Sequence, residues 1–122
     1  MEHVIGVGGV FLRARDATAL RAWYSEHLGI DINPEVGGAT FPGIGGLTWA
    51  IFASDTPYFG SHRQAYMVNY QVANLDAMLA QLRAAGVHVA GETEETGDGR
   101  FGWATDPEGN RFELWEPRPD EG

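Results

Sequence analysis

The sequence repeats one order of structural signals, and this repeat limits the chain to a few folds. In each half an apolar, β-branched segment is followed by a capping residue, a stripe of apolar residues at helical spacing and a glycine that ends the helix. These signals are residues 4–14, Asp16 and Gly29 in the first half, and residues 66–72, Asn74 and Gly86 in the second. We therefore predict a strand followed by a helix in both halves.

Further strand-like segments follow each predicted helix. They lie near residues 31–33, 39–41 and 47–54 in the first half, and near 87–90, 101–105 and 111–116 in the second. Each half is thus expected to be a β-α-β-β-β module, the first at about 4–54 and the second at about 65–117, joined by a loop-like linker at 55–64. Neither module could bury its sheet alone. We predict one α+β domain over residues 1–122, in which two βαβββ modules form a curved mixed sheet or half-barrel.

Composition excludes several classes of function. A chain of 122 residues with 43% hydrophobic residues is long enough to bury one core. The net charge of −9 argues against nucleic acid and anionic membranes as partners. The chain has no cysteine, so disulfides, thiol catalysis and cysteine-based metal sites are excluded. With no basic leader and no apolar run near the ~18 residues of a membrane span, a cytoplasmic location is expected.

The last predicted hairpin contains an unusual carboxylate. The turn formers at 106–110 separate two apolar and aromatic runs. In the second run, strand alternation puts Phe112 and Leu114 on one face, and Arg111, Glu113 and Trp115 on the other. Burying a carboxylate costs several kcal/mol unless it is paired or bound. Glu113 is therefore the first candidate for a functional residue.

These features together resemble the vicinal oxygen chelate superfamily, which includes glyoxalase I, bleomycin-resistance proteins and extradiol dioxygenases. The resemblance rests on the duplicated module, the Trp23-Tyr24 and Leu28-Gly29 pairs of the first helix, and the terminal hairpin. It covers nearly the whole chain. The chain is most similar to small bacterial glyoxalase-like proteins that share a Tyr-Phe-Gly loop, here at 58–60, and a Gly-Arg-Phe-Gly-Trp strand, here at 99–103.

The resemblance implies one metal ligand on each of four strands, but this sequence keeps only one of them. The other three positions correspond here to Gly9, Ala50 and Met67, while the last is Glu113. One carboxylate does not supply the donors that a divalent cation needs. We therefore expect no metal ligands and no cofactor, with a divalent metal kept as the alternative.

Strand alternation predicts the side chains that line a cavity on the inner face of the sheet. A planar or aromatic small molecule suits such a mixed lining of aromatic, amide and charged groups. Trp49 is included because the register of its strand could be shifted by one residue. The predicted ligand-binding residues are Phe11, Arg13, Trp49, Phe52, Met67, Asn69, Trp103, Arg111 and Trp115.

Two functions of different classes follow. The first is a binding protein that holds a small, aromatic molecule in a metal-free cavity. The second is an enzyme, a metal-dependent or Glu-based lyase or isomerase of the glyoxalase I type, in which Glu113 is the catalytic residue. A third possibility is a filled interior without ligand, in which Arg13 neutralises Glu113. We expect Glu113 at the floor of the main pocket, within salt-bridge or water-bridge reach of an arginine, Arg13 first and Arg111 second, or of a bound polar ligand.

A homodimer is also expected. The edges of a half-barrel sheet expose unpaired backbone groups unless they are covered. The aromatic residues of the 58–62 linker are available for a contact between subunits, or else form a lid over the cavity.

Overall fold

The computed structural model describes residues 1–41, 46–60 and 64–118. The elements are β1 Val4–Ala14, α1 Ala17–Leu28, β2 Gly38–Phe41, β3 Leu47–Ala53, β4 Tyr66–Val72, α2 Leu75–Ala84, β5 His88–Val89, β6 Glu94–Thr96, β7 Gly99–Thr105 and β8 Arg111–Pro117. The strands form one eight-stranded sheet with the order β2-β3-β1-β4-β8-β7-β5, in which β6 pairs with β7. Among these residues, no helix is long and apolar enough to cross a membrane.

The two predicted modules join at their first strands. β1 and β4 pair antiparallel at the centre of the sheet, where Phe11 lies opposite Met67. Within each module the first strand pairs parallel with the last, β1 with β3 and β4 with β8. The sheet is curved and unclosed, and the predicted α+β fold of paired modules is confirmed.

Both helices begin and end where the sequence predicts. The Asp16 carboxylate accepts a hydrogen bond from the Ala19 amide at 3.0 Å, and Gly29 ends α1 with φ 68°. Asn74 caps α2 in the same way through the Ala77 amide. The helices differ in packing, because α2 buries Leu75, Met78 and Leu79, whereas no residue of α1 is fully buried.

An arginine attaches α1 to the first module. Arg21 donates from Nε to the Gly37 carbonyl at 3.1 Å, and its guanidinium also bonds to the Ile51 carbonyl. The Gly37 carbonyl reaches Arg21 because the chain makes a tight turn at Gly37, where φ is 72°. The strand predicted at 31–33 is reduced to a single bridge between Asn33 and Gly38, because the chain turns immediately afterwards. The short strand β6 was not predicted.

The sheet separates two apolar clusters. The cluster on its outer face lies between α2 and the sheet, and it consists of Val72, Leu75, Met78, Leu79 and Leu114. The cluster on its inner face consists of Phe11, Ala50, Phe59, Met67 and Trp103. The inner cluster surrounds the candidate site.

Candidate functional site

Glu113 lies in the middle of the sheet on its inner face, with only 1% of its surface exposed. Its strand places it in register with Asn69 of β4 on one side and Trp103 of β7 on the other. The strand alternation in the sequence therefore predicts the correct face of the sheet for Glu113. A carboxylate at this depth needs partners on every side.

Three neutral side chains provide those partners. The Asn69 amide donates from Nδ2 to Glu113 Oε1 at 2.6 Å. The Trp103 indole donates from Nε1 to Oε2 at 2.9 Å, and the Tyr58 hydroxyl donates a short hydrogen bond to the same oxygen. Both carboxylate oxygens are thus satisfied without a positive charge.

The expected ion pair with an arginine is not formed, since no described arginine lies within ion-pair distance of Glu113. Arg13 packs instead over the Phe59 ring, 4.8 Å from its centroid, and its Nη2 donates to the Thr56 carbonyl at 3.4 Å. Arg111 packs over the Trp103 ring at 5.2 Å. Each arginine thus stacks on an aromatic ring instead of forming the predicted ion pair with Glu113.

The surroundings of Glu113 change its acidity. Burial disfavours the charged form and raises the pKa of Glu113, while the hydrogen bonds from Tyr58, Asn69 and Trp103 lower it by a smaller amount. Burial also raises the pKa of the Tyr58 hydroxyl, and the nearby Glu113 charge raises it further. Tyr58 therefore stays protonated as a donor, and Glu113 holds a proton more readily than an exposed glutamate.

The linker after β3 covers this carboxylate. Its chain turns back over the inner face, where Phe59 is completely buried and the Tyr58 ring stacks on Phe52 at 5.3 Å with 4° between the planes. The sequence predicts that these aromatic residues form either a lid over the cavity or a contact between subunits. It does not predict the hydrogen bond between Tyr58 and Glu113. His62, part of the same expectation, lies outside the described residues.

A cleft of about 420 Å³ opens beside this cover. Glu113 does not line it, but two of its hydrogen-bond donors, Tyr58 and Trp103, do. We expected the Glu113 carboxylate at the floor of the main pocket. It lies instead behind the side chains of Tyr58 and Trp103. The lining residues are Phe52, Thr56, Pro57, Tyr58, Glu92, Thr93, Glu94, Trp103 and Arg111.

The structure brings most of the other predicted residues to the inner face. Phe11 and Met67 lie in the inner cluster, with Phe52 packed against it. Trp115 lies further along, where its ring stacks on Phe101 and its Nε1 donates to the Asp98 carbonyl at 2.9 Å.

Trp49 is the exception, and its assignment to the cavity is wrong. Its ring packs against Tyr24 of α1, with 5.0 Å between centroids, on the outer face of the sheet. The pairing of Phe11 with Ala50 fixes the register, so that Trp49 points away from the cavity.

The donor set around Glu113 does not fit the divalent metal that the family resemblance implies. Gly9 and Ala50 carry no ligand atoms, Met67 offers only a thioether, and the carboxylate oxygens already accept N–H and O–H donors. Over residues 1–41, 46–60 and 64–118, no three acidic or histidine side chains lie together as a metal site would require. The residues present therefore do not support a metal-dependent step.

The comparison with known families agrees with the fold. Residues 3–114 match the Glyoxalase/Bleomycin resistance protein/Dioxygenase superfamily, and the chain belongs to this superfamily. No curated protein matches the sequence.

Solved structures of methylmalonyl-CoA epimerases have a similar fold. The enzyme from Mycobacterium tuberculosis is 24% identical, with a TM-score of 0.66 over 95% of this chain and 90% of the other. A methylmalonyl-CoA epimerase in complex with methylmalonyl-CoA and NH4+ is 17% identical, with a TM-score of 0.69 over 96% and 97% of the two chains. At these identities the likeness shows the fold alone.

Proposed function

We propose that this protein binds a small planar molecule in a metal-free cavity on the inner face, with Glu113 as the hydrogen-bond acceptor that orients it. The observation that carries the proposal is the buried carboxylate, which is held by neutral donors and covered by a loop. Burying a carboxylate without a positively charged partner is costly, and at Glu113 that cost is met by three hydrogen-bond donors. A buried acceptor of this kind, covered by a loop, supports a role in recognition.

Tyr58 indicates the chemistry of the ligand. Its ring lies between Phe52 and Trp103, and its hydroxyl donates to Glu113. A ligand that displaces this side chain would fill the same space if it has a flat ring and a hydrogen-bond donor. Aromatic alcohols, phenols and heteroaromatic N–H compounds have this combination.

A thermal-shift screen with such compounds tests the proposal. A ligand at 100 times its Kd stabilises the protein by about 2.7 kcal/mol. We expect hits to contain a ring and a donor, and to lose affinity in Glu113→Leu, which removes the acceptor. Hits that bind the variant equally well, or an absence of hits across a broad library, would contradict the proposed site.

A second candidate function is proton transfer by Glu113, in a lyase or isomerase that uses no metal. It is favoured by one observation: Asn69 Oδ1 is buried and has no hydrogen-bond partner among the described residues. When Glu113 gains a proton on Oε1, rotation of the Asn69 amide would turn this oxygen to accept it. The site can thus satisfy both protonation states of Glu113, as a general base requires.

Hydrogen exchange at carbon separates the two functions. The protein would be incubated in D₂O with methylmalonyl-CoA, the ligand named for one neighbour, and with simple α-substituted thioesters and ketones. Enzymatic activity predicts deuterium incorporation beside the carbonyl that Glu113→Gln abolishes. Binding without exchange would leave the first function and exclude the second for those compounds.

We also propose a homodimer in the cytoplasm. Two aromatic residues of the linker, Tyr58 and Phe59, are turned inward, so they do not support a contact between subunits. Exposed apolar residues at the start of β1 support it instead, since Val4, Ile5 and Val7 are 48%, 60% and 43% exposed.

A further inference from the structure

Arg111 lies close to Glu113 on the inner face of the sheet, but nearer to the opening of the site. The two residues are on the same face of β8 with one residue between them, so their Cα atoms are about 7 Å apart. Arg111 lines the cleft of about 420 Å³ together with Tyr58 and Trp103, whereas Glu113 lies behind those two side chains. A ligand that reaches Glu113 through this cleft would therefore pass the Arg111 guanidinium.

The backbone and the aliphatic stem of Arg111 are held in place. Its amide donates to Gln64 Oε1 at 2.6 Å, and its carbonyl accepts from Gln64 Nε2 at 2.8 Å. Gly60 of the loop, with φ 80°, passes so close that a Cβ atom there would lie 2.9 Å from Arg111 Cδ. The guanidinium packs on the Trp103 ring, 5.2 Å from its centroid. Its position is thus fixed before a ligand binds, which lowers the entropy cost of binding.

This fixed cation has no anionic partner in the part of the chain that the structure describes. Arg111 Nε is buried, and no acceptor lies within hydrogen-bond distance of it there. Glu92 and Glu94 line the same cleft, but both are exposed and neither forms an ion pair with the guanidinium. Exposed charges are screened by water and salt, while buried groups are screened much less. A buried donor without an acceptor is costly, and a ligand that brings an acceptor to Arg111 would remove that cost.

We propose that the ligand is an aromatic carboxylate, whose acid group binds Arg111 while a hydrogen-bond donor at the other end of the ring reaches Glu113. The ring and the donor come from the proposed function, on which this inference rests, and the acid is new. A guanidinium group donates two parallel hydrogen bonds to a carboxylate, so the acid would satisfy the Nε of Arg111. Arg111 is then the residue that selects an acid over its neutral analogues.

Calorimetric titration with three probes of one shape tests the assignment. 4-Hydroxybenzoate carries the acid, 4-hydroxybenzamide is its neutral analogue, and 4-hydroxybenzylamine carries a positive charge at the same place. We expect the wild type to bind the benzoate about tenfold more tightly than the amide, and the amine most weakly. Arg111→Gln should remove this preference, by weakening the benzoate about tenfold while the amide is nearly unchanged. A purely structural role of Arg111 would weaken both probes together.

Arg100→Gln is the matched control. It removes the same charge from β7, on the outer face of the sheet, where the Arg100 guanidinium bonds to Asp76 of α2 at 2.9 Å. The preference for the benzoate should remain. The three probes also test the proposal in the wild type alone, so the result does not depend on the folding of Arg111→Gln.

Equal binding of the benzoate and the amide, with both lost in Glu113→Leu, would overturn the role of Arg111 and leave the proposed function intact. Tighter binding of the amine would also overturn it, because Glu92 and Glu94 would then select the charge of the ligand. A preference for the benzoate that survives Arg111→Gln would place the acid elsewhere and refute the assignment. If none of the three probes binds but other ring compounds with a donor do, the acid is wrong. If those compounds also fail to bind, the proposed function fails with it.

Discussion

The Tyr58 hydroxyl and the Glu113 carboxylate, 55 residues apart in the chain, form a hydrogen bond that closes the inner face of the sheet. The bond joins a loop to a glutamate that is only 1% exposed, the lowest exposure of any charge-bearing residue within 1–41, 46–60 and 64–118. The loop is therefore positioned by the group that it covers, and changes to either residue affect both.

Tyr58→Phe removes this hydroxyl and leaves the ring in place. We expect a loss of about 1–2 kcal/mol in the free energy of unfolding, because Glu113 Oε2 keeps only the Trp103 donor. Urea denaturation measures the loss. Tyr66→Phe is the matched control, since Tyr66 is 61% exposed and should change stability by less than about 0.5 kcal/mol. Equal effects of the two variants would contradict the proposed cover.

Two substitutions of Glu113 should lower the free energy of unfolding by different amounts, because only glutamine keeps the shape of the side chain. Glu113→Ala leaves Tyr58, Asn69 and Trp103 without an acceptor, and we expect it to cost about 2–5 kcal/mol. Glu113→Gln should cost much less, because its oxygen keeps two donors and the Asn69 amide can rotate to accept from its nitrogen. Chemical denaturation of both variants tests this order. A glutamine variant as unstable as the alanine variant would show that Asn69 cannot rotate.

The pH dependence of stability should show the raised pKa of Glu113. In the unfolded chain this group titrates near the ordinary value of about 4.3. Because burial raises its pKa in the folded protein, its contribution to stability is greatest below that value and is lost as the pH rises through the folded pKa. The stability of the wild type minus that of Glu113→Gln should therefore fall from pH 4 towards neutrality. A difference that rises with pH would mean that the hydrogen bonds outweigh burial.

Gly8→Ala should disturb the site through Asn69. A Cβ atom at this position would lie 2.4 Å from Asn69 Oδ1 and 2.7 Å from the Trp115 ring. We expect a loss of about 1–3 kcal/mol from overpacking, together with weaker ligand binding. Gly6→Ala on the same strand is the control, since nothing lies within 4 Å of its Cβ position. Thermal unfolding of the pair measures the difference.

The homodimer is tested by light scattering at micromolar concentration. We expect twice the mass of the chain, and a shift towards the monomer in a Val4→Asp, Ile5→Asp double variant, because charges on exposed apolar residues oppose association. A monomeric wild type would exclude the dimer at that concentration.

The fold and the position of Glu113 follow from the sequence because both depend on local periodicity. The capping residues predict where the helices begin and end, and the helical stripes predict the two modules. Strand alternation predicts the face of the sheet on which Glu113 lies. The partners of Glu113 depend on contacts distant in sequence. Alternation placed Asn69 and Trp103 on the correct face, but no local signal brings Tyr58 from a loop onto a strand 55 residues later. The wrong face for Trp49 has a similar cause, since only pairing with β1 fixes its register.

The unequal burial of the two helices has a consequence for how the protein opens. α2 is fixed by three buried side chains, so its amides should exchange with solvent only when the whole domain unfolds. α1 has none; Arg21 bonds it to two backbone carbonyls, and Tyr24 packs on Trp49 of the sheet. Its amides should exchange through local detachment, at a free energy well below that of global unfolding. We therefore expect the helix of the first module to open independently of the sheet, while the helix of the second opens together with it.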